Sequence, residues 1–409
     1  MDIVLSNKED GMKRFADISE MTEFAKERED KEIIARFYAN EAEVKPSYAS
    51  APMLKDQMRE ALNIKAEDVS DDTILNYMEE KPLIYLKAPI NSGYHTFPIA
   101  ELGGYGTMVA RAGFSATDTA LALRDRQGRK RLTSQSEADV LNIGLSASER
   151  KCIAVIRDER IYAVHSGEKG DYIYLPLTKL LRKANDVLSK IGEFISGVIT
   201  HETSEFTYHV TDQGIIQQIN NLTAKYGRKK QYDAYVRVIT SDIAACGINI
   251  YPIIKVKGSN TEICFGRPIK DGHMGYGELA DEDARVGALL KAVTENLERV
   301  FASVSDFEKA LDAAEKVKLQ YPTEAFCNMA KNAGISAKAT LPYLEELKNN
   351  YTNPSAADAF WLLYDAAEFY LRDTKKSGLQ KMSLYETINR MALADIKRFD
   401  IPEKMAKVW

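Results

Sequence analysis

Cys152-Ile-Ala-Val-Ile156 and Arg160-Ile-Tyr-Ala-Val164 flank the polar triplet Arg157-Asp158-Glu159. Two apolar runs rich in β-branched residues, joined by a short polar link, are the pattern of a β-hairpin. Residues 175–191 follow a different period. Leu177, Leu180, Leu181, Ala184, Val187, Leu188 and Ile191 recur at steps of three and four, which sets them on one face of a helix. Beyond it, residues 194–200 and 206–210 read as strands. Residues 213–225 read as a helix carrying Ile215, Ile216, Ile219 and Leu222. The most β-rich part of the chain is 234–240, 247–256 and 262–266, with Lys257-Gly-Ser-Asn260 as the turn between the last two strands.

After Asp281 the periodicity is helical throughout. Val286, Leu289, Leu290, Val293, Leu297, Val300 and Phe301 form one stripe. Ser305 or Asp306 is placed to cap a second helix, and Pro322 opens another. Residues 356–371 and 384–396 complete the series. Toward the N-terminus, residues 21–39 set Phe24, Ile33, Ile34 and Phe37 among charged residues, as on a solvated helix. Asp71-Asp72 precedes Ile74, Leu75 and Met78 as an acidic first turn. Leu83-Ile-Tyr-Leu86 reads as a strand and Gly103-Gly-Tyr-Gly106 as a turn.

Strands gathered before helices predict an α+β protein. The expected architecture is a central, mostly antiparallel sheet with flanking helices, a helical N-terminal extension and a helical C-terminal third. The chain has 409 residues, more than the ~250–300 at which one core stops growing. The natural division is a charged helical region 1–82, a mixed core 83–280 and a helical region 281–409.

The net charge is −5, with 55 basic against 60 acidic side chains, so the average charge does not announce a nucleic-acid partner. Basic residues nevertheless cluster. Arg124, Arg126, Arg129, Lys130 and Arg131 fall within eight residues; Lys179, Arg182 and Lys183 share a helix stretch; Arg228, Lys229 and Lys230 lie between Tyr226 and Tyr232. Cations beside aromatic rings suit a single strand, the first tracking phosphates and the second stacking on bases. Solvated loops and helix ends produce the same pattern.

Other motifs are sparse. Cys152, Cys246, Cys264 and Cys327 form no CxxC pair and sit in apolar runs, as small buried thiols of a reducing compartment do. Among the five histidines, His201 and His209 flank two strands that could bring their rings together, but neither HxxxH nor HExxH occurs. No metal and no cofactor is expected. The loop containing Gly266, Arg267, His273 and Gly275 is the most unusual segment, glycine-rich between a strand and an acidic helix start. Its spacing matches no phosphate-binding fingerprint, so it reads as a connection first and a ligand loop second. No nucleophile constellation is present. The first ten residues lack a secretory pattern, and no window approaches the ~20 apolar residues of a membrane helix. The expected location is the cytoplasm, with no membrane partner.

From Arg237 to Leu311 the order of motifs is Thr240-Ser-Asp242, Asn249-Ile-Tyr-Pro252, a hairpin, Phe265-Gly-Arg-Pro-Ile269, Asp271-Gly-His-Met-Gly275 and an acidic helix. This resembles the family catalogued as domain of unknown function 932, more loosely from about residue 95, and the helical tail to about residue 400 is similar too. The resemblance implies a protein carried by phages, plasmids and related elements of bacteria, with a bacterial cytoplasm or a virion as its location. It supplies no activity; His273 is the one position that matches the family's polar stretch. The leading expectation is a nucleic-acid-associated accessory protein that binds single strands. The alternatives are a structural or host-interaction protein, with a host, phage or self partner, and a ligand binder or enzyme using the His273 loop.

Overall fold

The structure is a computed structural model. It describes residues 12–45, 85–99, 103–114, 134–168, 171–227, 231–257, 262–264, 269–273, 276–279, 281–372 and 378–402. The helix expected around Asp71, Asp72 and Ile74 lies outside these residues. The chain opens with β1 (Lys13–Phe15), α1 (Ile18–Lys31), β2 (Ile33–Tyr38) and β3 (Glu43–Lys45). Then come β4 (Tyr85–Ile90), β5 (Gly93–Pro98), α2 (Gly103–Arg111), α3 (Ser134–Ser146), β6 (Lys151–Arg157) and β7 (Arg160–Ser166). The middle runs α4 (Leu177–Leu188), β8 (Gly192–Ile199), β9 (Ser204–Val210), α5 (Gln213–Lys225), β10 (Tyr232–Thr240), β11 (Ile248–Val256), β12 (Glu262–Cys264) and β13 (Ile269–Asp271). Six helices follow: α6 (Glu282–Glu298), α7 (Ser303–Glu315), α8 (Pro322–Asn332), α9 (Ala337–Asn350), α10 (Ala356–Arg372) and α11 (Gly378–Leu393).

The fold is α+β, with antiparallel sheets. The main sheet has seven strands in the order β1-β8-β9-β10-β11-β12, with β13 also on β11. Two three-stranded sheets, β2-β6-β7 and β3-β4-β5, stand apart from it.

The N-terminal segment departs from the helix expected over 21–39. Asp17 caps α1 by accepting from the Ser19 and Glu20 amides at 2.7 and 3.1 Å. The helix stops at Lys31, and Glu32 is already extended. Ile33 to Tyr38 then form a strand with Ala35 and Phe37 inward, Arg36 and Tyr38 outward. The 33, 34, 37 spacing fits a helix turn as well as a strand, and the pairing with β6 decides between them.

The leading hairpin is tighter than its sequence suggested. Arg157 belongs to β6 and pairs with Arg160, leaving Asp158 and Glu159 as a two-residue turn at positive φ, 44° and 57°. Gly103 to Gly106 open α2 and do not form a turn. A Cβ on Gly104 would lie 2.5 Å from the Ile161 carbonyl oxygen, so β7 packs directly against the helix backbone. Helix α7 begins at Ser303, so neither Ser305 nor Asp306 is its cap.

Two hydrophobic cores result. One joins the seven-stranded sheet, α1, α4 and the C-terminal helices; the other is built only from residues between Ala35 and Val164. In the first, α10 is buried along most of its length. Its Tyr364 hydroxyl lies 2.7 Å from both the Cys264 carbonyl and Asn389 Oδ1, tying α10 and α11 to β12. In the second, α2 and α3 meet backbone to backbone: a Cβ on Gly144 would fall onto the Ala112 carbonyl. Gly144→Ala is therefore expected to lower stability by about 1–3 kcal/mol, the usual cost of overpacking, measured as a shift of the urea midpoint. An unchanged midpoint would show that the two helices part freely.

Candidate functional site

Glu32 ends α1, Arg157 ends β6, and the loop 241–247 joins β10 to β11. These three points meet between the two cores. Asp242 Oδ2 lies 2.5 Å from Arg28 Nη2 and 2.6 Å from Arg157 Nη2. The Arg157 Nε–H donates to Glu32 Oε1, and the Tyr174 hydroxyl donates to Glu32 Oε2. Two further arginine donors reach backbone carbonyls: Arg28 Nη1 to Thr200 and Arg157 Nη1 to His201, each at 3.0 Å. The Arg157 and Asp242 side chains are each 4% exposed and Glu32 only 2%. Two guanidinium groups and two carboxylates thus cancel in a site closed to water.

The two carboxylates respond differently. Burial pushes Asp242 up, but Arg157 and Arg28 together hold it at about 2. At Glu32 burial outweighs the attraction of Arg157, and its carboxyl lies above the usual range. Asp242 faces two cations and Glu32 one, which accounts for the difference. Burial would lower Arg157, but Asp242 and Glu32 more than offset it and raise it further.

Aromatic and imidazole rings surround this centre. His165, Tyr172 and His273 form a row, with centroids 4.1 and 5.9 Å apart. The Tyr172 hydroxyl donates to the Asp242 carbonyl at 2.6 Å, and His165 Nε2 lies 2.8 Å from the Ile243 carbonyl. His201 stacks on Tyr162 at 5.5 Å. These bonds pin the loop so that Ala244 holds φ +52°, a conformation an alanine adopts only under constraint. Burial pushes His165 down to about 4, and lowers His201 and His273 as well.

Several residues singled out in the sequence fall elsewhere. Arg124, Arg126, Arg129, Lys130, Arg131, Arg228, Lys229, Lys230, Gly266, Arg267 and Gly275 lie outside the described residues. Tyr232 is 1% exposed; its ring belongs to the core and offers no face to a base. His273 is 4% exposed, with Nδ1 3.1 Å from the Ile173 carbonyl. It is a core histidine in this structure, with no face open to a bound molecule. His201 lies in the connection before β9 and His209 near the strand's far end, the first on Tyr162 and the second on Tyr235. All four cysteines are free thiols, three of them buried.

Arg28 and Glu32 carry no sequence motif, Asp242 entered only as the end of Thr240-Ser-Asp242 with no role attached, and Arg157 looked like a turn residue. The one signal was a charge closing an otherwise apolar strand. Among the described residues no group of three or more His, Cys, Asp and Glu side chains is placed to hold a metal ion. A half-open cavity of about 390 Å³, lined by Glu41, Glu43, Lys87, Tyr94 and Asn142, lies away from the centre, between α3 and the β3-β4-β5 sheet. Asn142 already spends its amide on the Val44 backbone.

No protein-family model, curated protein or solved structure matches the chain. No helix among the described residues is long and apolar enough to cross a membrane.

Proposed function

We propose that this chain is a nucleic-acid-associated accessory protein that binds the phosphate backbone of a single strand without catalysis. The observation that carries the proposal is the outward face of α4. Every apolar position of that helix is buried, and its exposed positions are Lys179, Arg182, Lys183 and Asp186, with Lys190 just beyond. Four cations against one carboxylate line a single stripe on a chain of net charge −5. Lys179 lies 4.0 Å from Asp283 and Lys183 3.9 Å from Asp186. Such long, exposed pairs contribute little and yield readily to a polyanion. The resemblance of residues 237–311 to domain of unknown function 932 adds a mobile-element origin to this reading.

The buried ionic centre takes no part in this contact, because its charged groups bond one another. The test is fluorescence anisotropy on a single-stranded oligonucleotide between 50 and 200 mM salt. Backbone binding makes affinity fall linearly in log–log form, by about 0.7 per phosphate contact on single strands. Reversing Lys179, Arg182 and Lys183 to Glu is expected to weaken binding and flatten the slope by about 2. An unchanged slope would remove α4 from the contact; a wild-type protein that ignores the oligonucleotide would retire the proposal.

A further inference from the structure

We infer that residues 33–166 dock on the rest of the protein through an ionic clasp that pins two adjacent hinges, and that breaking the clasp undocks this unit while both cores stay folded. The backbone itself separates the two parts. The sheets β2-β6-β7 and β3-β4-β5 belong wholly to residues 33–166, and the seven-stranded sheet wholly to the remainder. The two cores share no residue.

The chain passes between them at two places. One is Glu32, between α1 in the first core and β2 in the second. The other lies between Ser166, the end of β7, and Ile173, which is back in the first core. Both crossings touch the same ionic centre. Glu32 is itself the first crossing, and Tyr174, just past the second, donates its hydroxyl to that carboxylate. Tyr172, within the second crossing, donates to the Asp242 carbonyl. Arg157 reaches out of the docked unit to hold Glu32 and Asp242 together.

Among the described residues the other contacts between the two parts are few, the stacked pairs Tyr162–His201 and His165–Tyr172 among them. The apolar contact is a small cluster in which Val155, Tyr162 and Ala163 meet Ile243. His165 and Tyr162 add polar contacts to the Ile243 carbonyl and His201. Arg36 and Glu282 form an exposed pair. Parts of one chain move relative to one another unless their interface is large and apolar. Here the contacts among the described residues are mostly polar, so the charges set the docked position, as buried ionic groups do when they specify one arrangement over another.

The experiment compares the full-length wild type with Asp242→Asn and Tyr174→Phe by small-angle scattering and hydrogen exchange. Asp242→Asn is expected to raise the radius of gyration. The junction amides of Thr203 and Ala245, held now by Thr200 and Ser241, should exchange at least ten-fold faster. Amides of β9, β10 and α2 should keep their wild-type protection. Tyr174→Phe, which removes one hydroxyl, should move the same quantities less. A wild-type radius and wild-type junction exchange in both variants would overturn the inference. So would protection lost from the core strands together with the junction, in Tyr174→Phe as well as in Asp242→Asn.

Discussion

Arg157→Ala is expected to lower stability by about 3–5 kcal/mol, the usual cost of removing one partner from a buried ion pair. The size follows from what stays behind. Glu32 and Asp242 are almost fully buried, and Arg157 is the counter-charge of Glu32 and one of two for Asp242. Alanine leaves Glu32 with only the Tyr174 hydroxyl and Asp242 with only Arg28. It also strips a donor from the His201 carbonyl. Arg157→Lys keeps the charge but loses the planar fork that serves Glu32, Asp242 and His201 at once, so it should fall between the two. Urea denaturation followed by circular dichroism measures both. A shift under about 1 kcal/mol for the alanine variant would mean that the carboxylates find water, and that the centre is less closed than its burial indicates.

Stability should also fall as the pH drops from about 6.5 toward 4. Burial pushes His165 down to about 4, and His201 and His273 move in the same direction. In the unfolded chain these imidazoles bind protons near pH 6.5. Between the two values these imidazoles hold more protons in the unfolded state than in the folded one, so their contribution to stability rises with pH in that window and is lost below it; Glu32, whose carboxyl burial raises, opposes them just above the ordinary carboxylate range. His165 alone accounts for about 3 kcal/mol across the window. Asp242 acts in the same sense at lower pH: its contribution is present above the ordinary aspartate range and is lost as the pH falls toward 2. His165→Phe, measured from pH 4 to 8, should flatten the upper part of the profile. A slope that persists unchanged would place the titrating groups elsewhere.

How much of this was legible in the sequence depends on range. The helix over residues 213–225 and the stripe on 177–188 were readable because their apolar spacing fits one period only. Strands β8 to β12 of the main sheet were readable from their apolar, β-branched runs, whereas the three-residue strands β1 and β13 are too short to show a period. Residues 33–38 were not, because three apolar residues over one turn satisfy both periods and the deciding fact, a ladder with residues 151–156, lies more than a hundred residues away. The ionic centre was hidden for a stronger version of that reason. Arg28 and Glu32 at the end of α1, Arg157 and Asp242 come from three separate segments, and charged residues at such spacings look like solvated surface. Histidines drew attention in pairs along the chain, whereas His165 and His273 come together through Tyr172. The cationic face of α4 was visible throughout, because a local cluster on a local helix needs no long-range information.

The pairing of β1 with β8 has a consequence for how the protein is made. Phe15 lies opposite Gly197, and everything from β2 to β7 is inserted between these partners. During synthesis the first strand and α1 leave the ribosome long before the sheet they complete exists. The inserted unit, whose strands pair only among themselves, has all its partners as soon as β7 emerges. The nascent chain therefore folds its middle before its beginning. Contacts of such long sequence separation form slowly, and until β8 arrives Phe15, Met21 and Ala25 have no sheet to bury against.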